Sequence, residues 1–257
     1  MATARPGLSG YTQIALGWTG GHSTVTSFGR NTDVDAATTP EDIWAGGGLY
    51  TGFPSGALST AEPLSIVSSS AADAAAGTGM RTLYIEGLDA TGRVQIEVVT
   101  LNGVTPVVTT TTWYRAFRAS GISGGSGQTN AGTVTIKHAT TTANVFVVIT
   151  PGTAQSHSAV YTVPFGQKGL VTSTLYACSN AATSAQEATV ALAMRTYQSS
   201  IWLLLNDQIV TTSNPLHIDY PGGPPLPALT DLSVRAVAAT ADNLSMTALI
   251  EMLLLPC

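Results

Sequence analysis

Gly121-Ile122-Ser123-Gly124-Gly125 has the spacing of a nucleophile elbow, in which a strained strand-to-helix turn exposes a serine for acyl transfer. Ser126-Gly127-Gln128-Thr129-Asn130-Ala131-Gly132 follows and offers no helix to steady an oxyanion, so the context favours a flexible loop. Glycosidic chemistry needs two facing carboxyl groups, and Glu86 with Glu97 on neighbouring strands is the pair that can be placed close together. Solvent already explains Glu97, which belongs to the polar side of an alternating run. Asp33-Val34-Asp35 would set two carboxylates on one strand face, where they could touch Ca²⁺, but the other oxygen ligands and turn glycine of an EF-hand loop are missing. His22, His138, His157 and His217 are scattered, and only His217 has a close carboxylate, Asp219. No Walker A motif, dinucleotide fingerprint or Cys-x-x-Cys pair occurs in the sequence. The expectation is a chain without catalytic residues, cofactor or metal, and so not an enzyme.

The elements that would position any site are strands. In Arg93-Val94-Gln95-Ile96-Glu97-Val98 the aliphatic residues alternate with polar ones, the pattern of a half-buried strand, and Thr133-Val134-Thr135-Ile136-Lys137 repeats it. Runs rich in β-branched residues at 104–112, 145–150, 160–163 and 232–238 suit a pleated surface, and 244–256 is apolar enough for a buried strand. Asn102-Gly103 between two such runs predicts a two-residue hairpin, Asp89-Ala90-Thr91-Gly92 a longer one, and Asn206-Asp207 a third. Residues 71–76 could make at most two turns of helix before Gly77, and a tight turn fits as well. About a dozen evenly spaced strands predict an antiparallel β-sandwich of jelly-roll type over 61–257, with a subdivision possible near 150.

Residues 1–60 differ, with Gly20-Gly21, Gly46-Gly47-Gly48 and prolines separating short apolar islands. They are expected to form an extended N-terminal arm whose Trp18, Ile43, Trp44, Leu49 and Tyr50 anchor an interface, while Trp113 and Trp202 pack in the core. Composition points the same way. The chain has 257 residues, 44% hydrophobic but only 10% charged, against about 25% charged in an ordinary domain. Disorder would need the opposite balance, so folded surface must be poor in charge, as interface cores are.

A net charge of −5 without a Lys/Arg run argues against direct nucleic-acid contact. The apolar stretch 244–256 contains Glu251 and is too short to span a bilayer as a helix, so no membrane association is expected. Residues 1–10 do not read as a secretory signal, and Cys178 and Cys257 are too few for a disulfide framework, which together suit synthesis in a reducing cytoplasm.

Pro40-Glu41-Asp42-Ile43-Trp44 with Gly46-Gly47-Gly48-Leu49-Tyr50 resembles a stretch of tailed-bacteriophage structural proteins, especially of phages of aquatic bacteria, cyanophage-like. Ser68-Ser69-Ser70-Ala71-Ala72-Asp73, Ile85-Glu86-Gly87-Leu88-Asp89, Thr100-Leu101-Asn102-Gly103 and Thr230-Asp231-Leu232-Ser233-Val234-Arg235-Ala236 extend the similarity across about residues 40 to 240. The resemblance implies a capsid decoration or cement protein, a homo-oligomer and specifically a trimer, on the outer capsid surface of the virion against the major capsid protein. A tail or neck component, such as an adhesin for a host surface glycan, is the alternative it implies. It brings no catalytic residues with it.

Overall fold

In the computed structural model the chain is described over residues 20–54, 57–180 and 186–257. Among the described residues, sixteen strands and one 3₁₀ turn, Leu58–Thr60, make up the regular structure. First come β1 (Ser23–Val34) and the two-residue β2 (Glu41–Asp42). A central group follows: β3 (Glu62–Ser68), β4 (Met80–Leu88), β5 (Val94–Thr100), β6 (Val107–Trp113), β7 (Arg115–Gly124), β8 (Val134–His138) and β9 (Val145–Ile149). The last are β10 (Val160–Thr162), β11 (Gln167–Ser179), β12 (Glu187–Arg195), β13 (Leu203–Thr211), β14 (Leu216–Asp219), β15 (Asp231–Ala239) and β16 (Leu244–Pro256).

These strands build two sandwiches, one inserted into the other. The outer one pairs a sheet ordered β1-β16-β11-β14 with a sheet ordered β10-β15-β12-β13. β12 runs along one side of β15, so β2 and β10, which both pair with β15, must share its other side. Counted as one interrupted strand, they give eight strands ordered 1-8-3-6 and 2-7-4-5, the double wrapping of a jelly roll. The inner sandwich, β6-β3-β8-β9 facing β5-β4-β7, is threaded between β2 and β10. Each has its own core. Trp44, Tyr176, Leu192, Met246 and Ile250 belong to the jelly roll's, and Leu64, Leu83, Trp113, Ile136 and Phe146 to the inserted sandwich's.

Local chemistry explains which turns formed. Asp89–Gly92 joins β4 to β5 as expected, with the Asp89 carboxylate accepting from the N–H groups of Thr91 and Arg93 and Gly92 at φ +77°. Asn102-Gly103 does turn, with Gly103 at φ +62°, but the strands on either side lie in different sheets. It makes a corner between layers and no hairpin, because the Gly103 N–H donates to Asp73 O and ties the turn to residues 70–74 instead. Asn206-Asp207 is not a turn at all and sits inside β13. The Asn206 Oδ1 accepts from the Leu192 N–H at 2.9 Å, where the β12–β13 register shifts, so the amide fills a gap in the ladder. Residues 71–76 form turns without a helix, and 244–256 is the central strand β16.

The stretch 1–60, read from sequence as an arm, contributes structure from residue 23 onward. β1 pairs with β16 from Ser23↔Leu254 to Val34↔Leu244, and Ile43 and Trp44 are core residues. Residues 1–19, and Trp18 with them, lie outside the described residues. Gly29 in β1 lies where the Ile43 carbonyl and the Ala159 N–H close over the strand, and a Cβ there would collide with both. Gly29→Ala is expected to cost about 1–3 kcal/mol through forced backbone movement. A urea unfolding midpoint unchanged from the parent would contradict that.

Candidate functional site

β5 carries the alternation that the sequence predicts, but with its faces exchanged. Val94, Ile96 and Val98 point to solvent, 48%, 58% and 56% exposed, while Gln95 and Glu97 turn inward. The cause lies in the neighbouring sheet. Gln95 Nε2 donates to Thr112 O at 2.7 Å, and the Glu97 carboxylate accepts from the N–H and hydroxyl groups of Thr110 and Thr111. Burial opposes the Glu97 charge, but these hydrogen bonds outweigh it and hold its carboxyl below the usual range. The polar side of β5 therefore closes the seam with β6, and the aliphatic side is left outward.

That outward side continues across the sheet. Val98 is opposite Tyr84 and Ile96 opposite Glu86 on β4, and Glu86 is opposite Arg118 on β7, where Ile122 adds an aliphatic side chain 56% exposed. A half-exposed Glu86–Arg118 pair at 3.8 Å carries the charge near its centre. β13 forms a second apolar surface, with Leu203, Leu204, Leu205 and Ile209 exposed along the edge of its sheet. Among the described residues no strand pairs with that outer edge, the position where sheets add strands from partners.

A buried ionic junction fixes one sandwich against the other. Asp231 begins β15 and Arg195 ends β12, directly opposite in register, with Arg195 Nη2 at 2.6 Å from Asp231 Oδ2. Arg115, the first residue of β7 in the inserted sandwich, reaches the same carboxylate at 3.1 Å and also donates to Pro54 O and Tyr114 O. The Thr162 hydroxyl completes the set at 2.7 Å from Asp231 Oδ1. Beside it Asp42 binds Arg235 at 2.7 Å and accepts from the Tyr50 N–H, and Trp202 faces the guanidinium groups of Arg235 and Arg195 at 4.2 and 4.9 Å. Residues 42, 115, 195 and 231 are far apart in sequence, and their only sequence signal is that charges in so charge-poor a chain sit at strand ends.

The expected interface anchors have mostly been used internally. Ile43, Trp44 and Tyr50 are buried, Leu49 is 51% exposed, and Trp18 falls outside the described residues. Trp44 and Tyr50 stack edge-on at 5.1 Å, Tyr50 meets Phe53 at 4.7 Å, and the Tyr50 hydroxyl donates to Ala116 O on β7. These rings thus cement the two sandwiches of one chain, correcting their assignment as outward anchors. Trp113 is core as expected, and Trp202 packs against the jelly-roll core.

The remaining candidates are dispersed. Glu86 and Glu97 lie on opposite faces of their sheet, since Glu97 is opposite the core residue Ile85. Ser123 lies on β7 with its hydroxyl hydrogen-bonded to that of Thr82 at 2.6 Å. Asp35 accepts from the Asn243 N–H, tethering the end of β1 to the β15–β16 turn. Burial pushes the His138 imidazole below its usual pKa, and it sits between Trp113 O and the Asn144 amide at 3.1 Å each. His217 and Asp219 lie 3.7 Å apart on the exposed β14. Among the described residues no His, Cys, Asp or Glu cluster is arranged to hold a metal ion, and no helix is long and apolar enough to cross a membrane.

No family model and no curated protein matches the chain. Among solved structures it aligns over 92% of its length with 79% of a chain from T=1 particles derived from infectious bursal virus, at 11% identity and TM-score 0.14. A second alignment, to infectious bursal disease virus Gt strain, covers 92% of this chain and 82% of that one at 10% identity and TM-score 0.13. Alignments with scores this low establish no common fold.

Proposed function

We propose that this chain is a structural protein of a virus particle, a decoration or cement protein that works by packing against copies of itself and a capsid shell. The observation that carries the proposal is the outward apolar face of β5, flanked by Tyr84 and Ile122. A strand whose aliphatic side faces water while its polar side closes the interior departs from the rule that patterning follows burial, and such departures concentrate at functional surfaces. The charge-poor composition, the jelly roll and the resemblance to tailed-phage structural proteins support the same assignment. A jelly roll serves capsid shells and lectins alike, so the fold alone does not choose between them.

The mechanism would be additive contact. A homo-oligomer, a trimer in the simplest form, would bridge major capsid subunits from outside and add its binding free energy to the closed particle. Ile96→Lys puts a charge into the centre of the apolar face without entering either core. It is expected to leave the melting temperature unchanged, to abolish self-association in sedimentation velocity, and to weaken capture by purified capsids at least about tenfold. Undiminished capsid capture by this variant, or absence of the protein from purified particles, would sink the proposal.

A further inference from the structure

A cleft of about 270 Å³ opens where β1 of the jelly roll meets β7 of the inserted sandwich, with Phe28, Arg118, Ser120, Gln155 and Ser158 in its walls. Three of these side chains stand out. Phe28 is 41% exposed, and its ring is held at 85° to the His157 imidazole with centroids 5.2 Å apart, so an apolar surface is fixed in place at the mouth. Arg118 gives Nη2 to Thr26 O at 2.6 Å and holds Nη1 at 3.8 Å from Glu86, which leaves donors of its five N–H groups for a ligand. Ser158 is 3% exposed and its Oγ has no hydrogen-bond partner, although its backbone is held by the Ser27 hydroxyl at 2.9 Å. A buried hydroxyl left without a partner costs about 1–3 kcal/mol unless something supplies the bond.

We infer that this cleft binds a single carboxylate-bearing pyranose, a hexuronate unit of an acidic polysaccharide. The phenyl ring suits the C–H face of a sugar ring, and the guanidinium suits a carboxylate, which it can hold through two parallel N–H bonds. Ser120 and Gln155 then meet ring hydroxyls, and the Ser158 hydroxyl, enclosed as it stands, joins them by rotating about its Cα–Cβ bond into the cleft. Among the described residues Arg118 is the one charged residue in the cleft wall, and Glu86 at 3.8 Å partly offsets it, so a single negative charge suits the site better than a phosphate dianion. The volume, just under the roughly 300–1,000 Å³ of drug-sized ligand pockets, fits one ring and not a buried oligosaccharide. The cleft borders the β5–β4–β7 face and shares Arg118 with it, but its binding is read on the isolated protein with a monosaccharide, so its test does not depend on capsid decoration. It equips the molecule to hold a charged glycan on its surface.

The test is saturation-transfer NMR and calorimetry on the intact protein with D-glucuronate and D-glucose as probes. Glucuronate is expected to bind with a millimolar dissociation constant and glucose at least about tenfold more weakly. Phe28→Ala, whose side chain faces solvent, weakens glucuronate binding about tenfold with the circular dichroism spectrum unchanged. Ser158→Ala weakens it severalfold while the melting temperature holds or rises, because the partnerless hydroxyl is gone. Absence of transfer to glucuronate, equal affinity for glucose, or full affinity in both variants overturns the proposal.

Discussion

Asp231→Ala lowers the free energy of unfolding by about 3–5 kcal/mol, the cost of stranding buried charge. The carboxylate is the counterion of two guanidinium groups at once, Arg115 at 3.1 Å and Arg195 at 2.6 Å, and all three side chains are buried. Removing it leaves two like charges facing each other in low dielectric, and the Thr162 hydroxyl cannot compensate for a lost anion. Arg115→Met makes the opposite comparison. It keeps the Arg195–Asp231 pair intact and deletes the ion pair that crosses from the inserted sandwich, together with the Arg115 hydrogen bonds to Pro54 O and Tyr114 O. The expected outcome is a smaller loss of stability but a change in small-angle scattering, as the two sandwiches lose their fixed angle. Urea unfolding of the two variants side by side decides the matter, and equal losses would refute the view that Asp231 serves both arginines.

The second large effect centres on another buried carboxylate. Asp73 is fully buried and accepts from the Ser68 hydroxyl at 2.6 Å and from the N–H groups of Met80, Ala131 and Gly132 at 2.9, 2.8 and 2.9 Å. Burial pushes its pKa upward, but the four hydrogen bonds together outweigh that and hold it below its ordinary value of 3.8. Because the folded-state pKa is depressed, the stabilisation is complete above about pH 4 and disappears as pH falls through the folded-state value. Glu41 and Asp89, bonded by nearby turns, and Glu62 and Glu97, bonded by Thr140–Thr141 and Thr110–Thr111 from distant parts of the chain, are lowered in the same direction, so the whole chain should lose stability on the acid side.

Asp73→Asn cannot accept all four bonds, since one of its two ends is a donor. It should cost on the order of 2–4 kcal/mol at pH 7, given about 1.5–3 kcal/mol for a hydrogen bond to a charged group. Below pH 4 the variant should lose stability less steeply than the parent. Parallel pH profiles of the urea midpoint for the two proteins would show that Asp73 is not a carrier of the acid response.

Asp73 also illustrates how local chemistry can be legible while its purpose is not. Ala71-Ala72-Asp73 followed by Gly77 reads as a turn or a brief helix, and a turn forms. Nothing local reveals that the carboxylate binds the backbone at Ala131 and Gly132, residues brought to it by the pairing of β3 with β8.

The same division runs through the molecule. Strand character, the Asp89–Gly92 turn, the burial of β16 and the core position of Trp113 follow from side-chain alternation and turn chemistry, which act within a few residues. Periodicity states that β5 has an apolar and a polar side, but which side meets the core depends on Thr110 to Thr112 in another sheet, whose hydroxyls and backbone claim Gln95 and Glu97. Likewise the glycines and prolines near Trp44 signal irregular chain and not its neighbours. Only the closing of β2 and β10 onto β15 buries Ile43 and Trp44 and interrupts one jelly-roll strand with an entire sandwich. Sequence determined the elements because their causes are short-range. The tertiary structure decided the faces, the junction at Asp231 and the outward apolar surface, because each depends on pairings between residues far apart along the chain.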